Sequence, residues 1–592
     1  MIDYPYLKEL PVSRKTVEVF RGLNRNARIG DGEFCELENL TSDHYPVLAT
    51  REKRGTVGQT HSAAVLTGGL YVSGVGLYFT ADEQVEHEEE VQGALYLLTP
   101  EGVTSDVASG LLPGRKSLAL MGKRLIIAPD MKWLEVGAGS GLSSIAYGGN
   151  VAKGKLTLTL CKMDGTAYQG AEAASTAPAS PGNRDLWVDT SQVPHCLKEY
   201  KALTQEWITV PTTYVKISGL GEEIQFSEGD GIHISGLKEG FGDLNGCHVV
   251  QRFGHGDLVI PGILDETGEQ DCSANPVCME RKAPRLDFVV EAGNRLWGCV
   301  RDVNEIYACK LGDFTNWNVF SGLSTDSWVG NVGTPGEFTG GINQGGYPVF
   351  YKENCKHKIW PSSTGAHQMI ATPCNGVEKG SERSLQLLDG IVLYKSAAGV
   401  FADDGSGPVK LGEALGLERY QNAIGGVCGR KYYLSMEDST GKRRLFVYDL
   451  PRQLWHLESD APYGCMIGDG ISLYTASSDE VLDLTGQTGT PEGQVSWRAV
   501  TGDLVESPER RYISRLTLRM SLEPGSRVDI YARYDHEEGL TKLGTAYGRK
   551  LGSFSLPVRP RRCDHLQLEL RGKGAAKIYS ITKTFSEGSE LR

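Results

Sequence analysis

Three features of this 592-residue chain predict an all-β fold. Glycines stand singly or in pairs between short apolar runs. A turn–strand–turn–strand pattern returns at nearly constant spacing. No segment carries an apolar stripe at helical spacing over more than about two or three turns. Glycine is the compositional outlier at 74 residues, against an average near ~7 %. Its positions are neither collagen-like triplets nor flexible runs, so they mark reversals that need positive φ. Many tight turns imply many short strands.

The repeat sets the architecture. It appears as Gly68–Ser73 with Gly76–Thr80 and Ala94–Leu98, then as Gly122–Ala128 with Trp133–Val136. A third copy is Gly293–Cys299 with Glu305–Cys309, and a fourth is Gly346–Tyr351 with His357–Trp360. The fifth is Asp389–Tyr394 with Gly399–Ala402, and the sixth is Gly429–Leu434 with Arg444–Asp449. The seventh is Gly470–Thr475 with Glu480–Leu484. Val349 to Val392 is 43 residues, Val392 to Tyr433 is 41, and Tyr433 to Leu473 is 40. Several strands in a unit of about 40–50 residues are what propeller blades require. Aromatic and β-branched residues at period two suit half-buried strands. The expectation is a β-propeller of six or seven blades, with its first blades over 57–136 and the rest over 285–486.

One gap breaks the rhythm, since Leu125 to Leu296 spans 171 residues. Taking out one blade leaves about 120 surplus residues, assigned to a small inserted β-domain over 137–284. Its strands are expected at Lys155–Cys161, Tyr214–Ile217, Gly231–Ile234 and Asp257–Pro261, with an Ala/Ser/Pro-rich loop from Ala171 to Pro181. Beyond Gly486 the strands lengthen and alternate strictly: Ser514–Ser521, Arg527–Tyr534 and His565–Arg571. Strict alternation puts one face to a core and one to water, so 487–592 reads as a C-terminal β-sandwich. Residues 1–56 are too polar for a blade, yet keep apolar anchors at Val17, Val19, Phe20, Leu23, Phe34, Leu37, Leu40, Tyr45, Val47 and Leu48. They are expected to form a strap, with Asn39-Leu40 and Tyr45–Leu48 tucked in. One strand of the strap would complete the last blade and cover edges that would otherwise pair with other chains.

The formal charge is −13, which argues against a protein that coats nucleic acid. From Val495 to Arg592 there are 18 Lys+Arg and 12 Asp+Glu, so this +6 leaves −19 on the first 494 residues. The main reading of this asymmetry is a solvated surface, and the second is complementary contact between subunits. The 13 cysteines have no repeated spacing. The opening Met1–Lys8 lacks the basic and apolar stretches of a signal peptide, and no run approaches the ~18–20 apolar residues of a membrane span. Synthesis in a reducing cytosol with free thiols is expected. Cys272 and Cys278, with Cys247-His248 and His195-Cys196, could be imagined as a zinc site, but the C-x₂₋₄-C knuckle is missing.

No residue is nominated as catalytic, cofactor-binding or metal-ligating, and no cofactor is expected. Nucleophile elbows, H-E-x-x-H helices and phosphate loops are all missing. Gly122-Lys123-Arg124 reads as a hairpin turn. The acidic run Asp82–Glu90 around His87 reads as a solvated loop, with a cation site as the sharper alternative. Asp403–Gly407 and Glu437–Gly441 are too short for calcium loops. Arg559, Arg561 and Arg562 could bind acid groups, but read as surface or subunit contact. A propeller glycosidase would draw its carboxylates from different blades. The nearest approach to the sialidase S-x-D-x-G-x-T-W repeat is Leu311–Trp317, which lacks the serine and the second glycine, and WD and kelch signatures are missing. Trp187 and Trp207 in the insertion could stack on sugars, although buried or half-buried tryptophans are commoner.

Three stretches resemble virion proteins of tailed bacteriophages. They are Phe20–Asn26 with Asp31–Arg51, then Asn294–Cys299 with Glu305–Tyr307, Leu311–Asn318, Ser324–Ser327 and Gly336–Gly340, and finally Pro560–Leu570. The architecture is similar to the propeller-type tail nozzle or tail tube of short-tailed phages. The resemblance implies a non-enzymatic structural subunit, a nozzle, tail tube or adaptor lining the DNA exit channel. The partners implied are further copies of the chain in a ring, other tail or adaptor proteins, and DNA passing non-specifically. It implies a place in the virion tail after assembly in the host cytoplasm. The alternative from another class is a glycan-binding or glycan-cleaving propeller acting at the bacterial surface in tail-associated host recognition.

Overall fold

The computed structural model describes residues 12–59, 65–84, 91–137, 141–151, 154–221, 224–273, 275–459, 463–477, 480–504, 512–535, 537–557 and 565–586. The fold is all-β: a seven-bladed propeller with an inserted β-domain and a C-terminal β-sandwich. The chain divides into two compact units, one of Met1–Lys116, Tyr351–Lys356 and Thr372–Arg592, the other of Ser117–Phe350 and His357–Ala371.

Six of the seven sequence repeats supply the second and third strands of one blade, and the first repeat supplies the first three strands of blade 1. Blade 1 is Val65–Val72, Gly76–Gln84, Val91–Leu98 and Thr104–Leu111, and blade 2 is Ser117–Met121, Arg124–Ala128, Lys132–Glu135 and Ser143–Ser144. Blade 3 spans Phe288–Asn331, blade 4 Phe338–Pro373, blade 5 Gln386–Lys410 and blade 6 Tyr420–Glu458. The repeat is legible because the turn between the first two strands recurs. Both central residues are left-handed at Gly293-Asn294 (φ 63° and 58°), Gly345-Gly346 (61° and 87°) and Asp389-Gly390 (50° and 81°). That geometry matches the strand twist and selects Gly, Asn or Asp. Blade 7 joins Ile467–Gly468, Leu473–Ser477 and Glu480–Asp483 to Gly55–Gln59, so its fourth strand comes from near the start of the chain.

Blade 2 ends at Ser144, so its last strand lies inside the span expected for the insertion, which begins instead with Tyr147–Val151. A two-residue strand, Ser143–Ser144, has too few side chains to leave a periodic trace. The inserted domain closes over its own core, which includes Leu156, Leu158, Val215, Ile217, Ile232, Ile234, Leu258 and Ile260.

Residues 12–50 are built chiefly into the C-terminal sandwich. Val12–Val17 pairs with Ala576–Ser586, Leu48–Thr50 with the same strand, and Glu33–Glu38 with Ser496–Thr501. Glu33–Glu38 also touches the last strand of blade 6, Leu454–Glu458, and a single 14-stranded sheet results. Phe20, Leu23, Phe34, Leu37, Leu40 and Leu48 are at most 3 % exposed, whereas the expected anchors Val19 and Tyr45 stand out at 41 % and 42 %. Asn39, at φ 58°, clamps the junction. Its amide donates to Ser496 O at 2.8 Å and accepts from Arg51 Nε and from the Ser459 N–H, each at 2.9 Å.

The sandwich begins at Ser496, since Thr490–Pro491 still pairs with the blade 7 strand Gly55–Gln59. Its two layers share bent strands. Tyr512–Tyr534 pairs through Leu522 with Ala576–Ser586 and from Arg527 with Leu566–Lys573, while Thr541–Pro557 follows it along the other edge. The interruption between Leu522 and Arg527 lets the ribbon turn a corner. Leu516, Leu518 and Met520 then share one core with Val528, Ile530 and Leu570. Gly572 is obligatory here: a Cβ would lie 1.9 Å from the Trp497 ring.

Candidate functional site

In the inserted domain, Glu172–Ala174, Leu186–Asp189, Cys196–Lys201 and Glu206–Thr209 form one small sheet. Alternation sorts its side chains. Val188 and Leu197 turn into the domain core with Leu186 packed against them. The register sets Trp187 opposite Lys198, Asp189 opposite Cys196, and Tyr200 opposite Trp207, so these residues share the other face.

That face is an aromatic cluster with an ion pair beside it. The Trp187 and Trp207 rings meet edge to face at 5.5 Å, and Tyr200 lies 5.3 Å from Trp207. Trp187 is buried and donates its indole N–H to Ala174 O at 2.8 Å, while Tyr200 and Trp207 remain half-buried. The Lys198 ammonium sits 4.9 Å over the Trp187 ring and 2.7 Å from Asp189. Lys198 and the Ser191 hydroxyl, against the pull of desolvation, hold the Asp189 carboxyl down to about 2. Asp189 therefore stays ionised at all physiological pH values and cannot give up a proton as a general acid. The half-buried Tyr200 and Trp207 rings can take a ring-shaped ligand on its apolar face, with the Lys198 ammonium, held by the buried Asp189, at the edge.

The two tryptophans singled out in the sequence, twenty residues apart, are thus brought into contact. Lys198, Tyr200 and Asp189 were missed. Their signal was the alternation of Leu197-Lys198-Glu199-Tyr200, legible only with the strand pairing in hand. His195 donates from Nδ1 to the Asp265 carboxylate at 2.7 Å, next to the start of its strand. Among the described residues no three His, Cys, Asp or Glu side chains converge as metal ligands, and the described cysteines are free. His248 bonds Leu244 O instead, at 2.8 Å.

Other sequence candidates resolve into turns. Asp313 accepts from the Thr315 hydroxyl and the Asn316 amide, Asp404 from the Ser406 N–H, and Asp438 from the Thr440 N–H. Asp82 accepts from the Gly114 N–H at 2.8 Å. His87, with the rest of its acidic run from Val85, and the cluster Arg559, Arg561 and Arg562 lie outside the described residues. A cleft of about 790 Å³ opens beside Asp43, Lys431, Asp449 and Arg452. Its charges satisfy one another, with Lys431 2.5 Å from Asp43 and Arg452 3.0 Å from Asp449.

No protein-family model matches the chain, and no curated protein does. Among solved structures, the exo-β-1,3-galactanase of Phanerochaete chrysosporium is 10 % identical, with TM-score 0.20, over 50 % of this chain and 95 % of that one. Trypanosoma rangeli sialidase is 9 % identical, with TM-score 0.24, over 97 % of each chain. The extracellular domain of a putative hybrid two component system from B. thetaiotaomicron is 8 % identical, with TM-score 0.16, over 92 % and 98 %.

Proposed function

We propose that the chain is a glycan-binding, non-enzymatic propeller protein of a bacteriophage tail that contacts the bacterial surface through its inserted domain. The observation that carries this is the half-buried pair Tyr200 and Trp207 over the buried Trp187, with the Lys198–Asp189 pair at its edge. Sugar rings present C–H faces that stack on such aromatics, and the Lys198 ammonium offers a donor to their hydroxyls. At this face Asp189 is held ionised and does not offer the protonated carboxyl that glycoside hydrolysis needs. A bacterial-surface glycan array tests the reading. Wild type should bind and Trp207→Ala should not, while a depolymerisation assay on any bound glycan stays silent. An array without hits for wild type defeats it.

The tail placement rests on the resemblance of Phe20–Arg51, the blade 3 segments and Pro560–Leu570. Negative-stain images of virions labelled with antibody to this chain test it independently, and lack of the chain from the particle would refute it.

A ring-forming structural subunit is the second reading. It is favoured by the way the arm strand Glu33–Glu38 joins blade 6 and the sandwich in one sheet, pairing with Leu457 on one side and Ser496–Thr501 on the other. Such a unit suits repeated heterologous contacts that close. Analytical ultracentrifugation of the full chain should then reveal a defined oligomer, and a monomer at all concentrations would discard this reading.

A further inference from the structure

We infer that the outer face of one sandwich layer is a binding surface for a flexible, phosphate-linked polyanion. This layer consists of Val12–Val17, the Ala576–Ser586 strand, and the adjoining parts of Tyr512–Tyr534 and Thr541–Pro557. Leu516, Leu518 and Met520 point inward at 0 % exposure, so the residues between them point out. Across the strands, Arg14 and Arg515 flank Thr584. The next outward row is Thr16, Thr582, Thr517 and Ser555, with hydroxyl contacts of 3.0 Å between Thr16 and Thr582 and 3.2 Å between Thr517 and Ser555. Arg519 follows, between Ser580 and Ser553.

Arg14, Arg515 and Arg519 are exposed, and no described carboxylate pairs with them. The other layer of the same sandwich is built differently. There Asp529 takes Arg527 and Lys542, each at 2.7 Å, and Glu569 takes Arg498 and Arg571, each at 2.7 Å. Among the described residues, one face neutralises its cations and the other sets three guanidiniums among hydroxyls. Guanidinium and hydroxyl together are the donor set for phosphate oxygens.

The spacing decides what kind of phosphate. Arg14 and Arg515 are two strand separations apart, about 10 Å, and Arg515 and Arg519 four residues apart along a strand, about 13 Å. The three guanidiniums, each with a hydroxyl beside it, offer separate points for phosphate, so together they suit a ligand that carries several phosphates. The path turns from across the strands to along them, and a flexible chain can set successive phosphates at each of these points.

The test uses the full-length protein and fluorescently labelled inorganic polyphosphate, read by anisotropy at about 50 and 200 mM salt. Wild type should bind, with affinity falling as salt rises. Replacing Arg14, Arg515 and Arg519 together by Gln should weaken binding at least about tenfold and flatten the salt slope by about 2. Arg519→Gln alone should give a smaller loss in the same direction. Arg527→Gln, on the neutralised layer, and Trp207→Ala, in the inserted domain, should bind as wild type. The inference is overturned if wild type does not bind, if the triple variant binds undiminished, if Arg527→Gln loses as much, or if duplex DNA binds more tightly than polyphosphate.

Discussion

Tyr200 and Trp207 face each other across one hairpin of the inserted domain, their ring centroids 5.3 Å apart. The pair is half-buried, and Trp187 beneath it is 6 % exposed. This difference in depth separates ligand contact from support. Trp207→Ala should abolish glycan binding while moving the thermal midpoint little. Trp187→Ala should destabilise the inserted domain by about 3–5 kcal/mol, the usual cost of truncating a buried tryptophan. Differential scanning fluorimetry alongside the array checks both, and equal destabilisation by the two variants would contradict the assignment.

The arm should behave as part of the fold. Deleting residues 1–50 removes six apolar side chains that are at most 3 % exposed, each worth about 1.5–3 kcal/mol. The truncated chain should lose its cooperative transition or melt far lower. Phe34→Ala is the milder probe, with an expected loss of about 3–5 kcal/mol in urea denaturation. An unchanged midpoint for Phe34→Ala would rule out this role.

His456 makes stability depend on pH. It is 2 % exposed, and neither ring nitrogen has a hydrogen-bond partner among the described residues. Burial, with the nearby Lys431 ammonium, pushes its pKa from 6.5 down to about 3. Asp449, Asp43 and Arg452 also act on it, the carboxylates in the opposite sense. The native ring stays neutral while the unfolded ring takes up a proton below about 6.5. Its contribution is therefore full above that value and lost as pH falls toward 3, at up to about 1.4 kcal/mol per pH unit. Between pH 7 and pH 5 the loss should be about 2 kcal/mol. Urea midpoints across this range should drop for wild type and much less for His456→Gln, and parallel curves would exclude the mechanism.

Lys356 and Asp403 form a buried ion pair, with side chains 6 % and 0 % exposed. Lys356→Met alone leaves a carboxylate in the interior and should cost about 3–5 kcal/mol. Lys356→Met with Asp403→Leu should regain most of it, because two apolar groups need no solvation. A double variant no more stable than the single one, by chemical denaturation, would show that the pair contributes more than its mutual neutralisation.

The sequence by itself determined the local chemistry of this protein. Left-handed turns such as Gly293-Asn294 and Asp389-Gly390 can be read directly, because few residue types tolerate positive φ. The strands they join can be read as short runs of aromatic and aliphatic residues such as Tyr432–Leu434, buried on both faces, and their recurrence implies blades. What pairs with what across hundreds of residues was decided only by the tertiary structure. Glu33–Glu38 finds Ser496–Thr501 because both offer a free edge and an apolar face to one core, a match that composition does not encode. The candidate site follows the same division. Trp187 and Trp207 were conspicuous as residue types, but their meeting with Tyr200, Lys198 and Asp189 depends on register, and a slip of one residue would send each side chain to the opposite face.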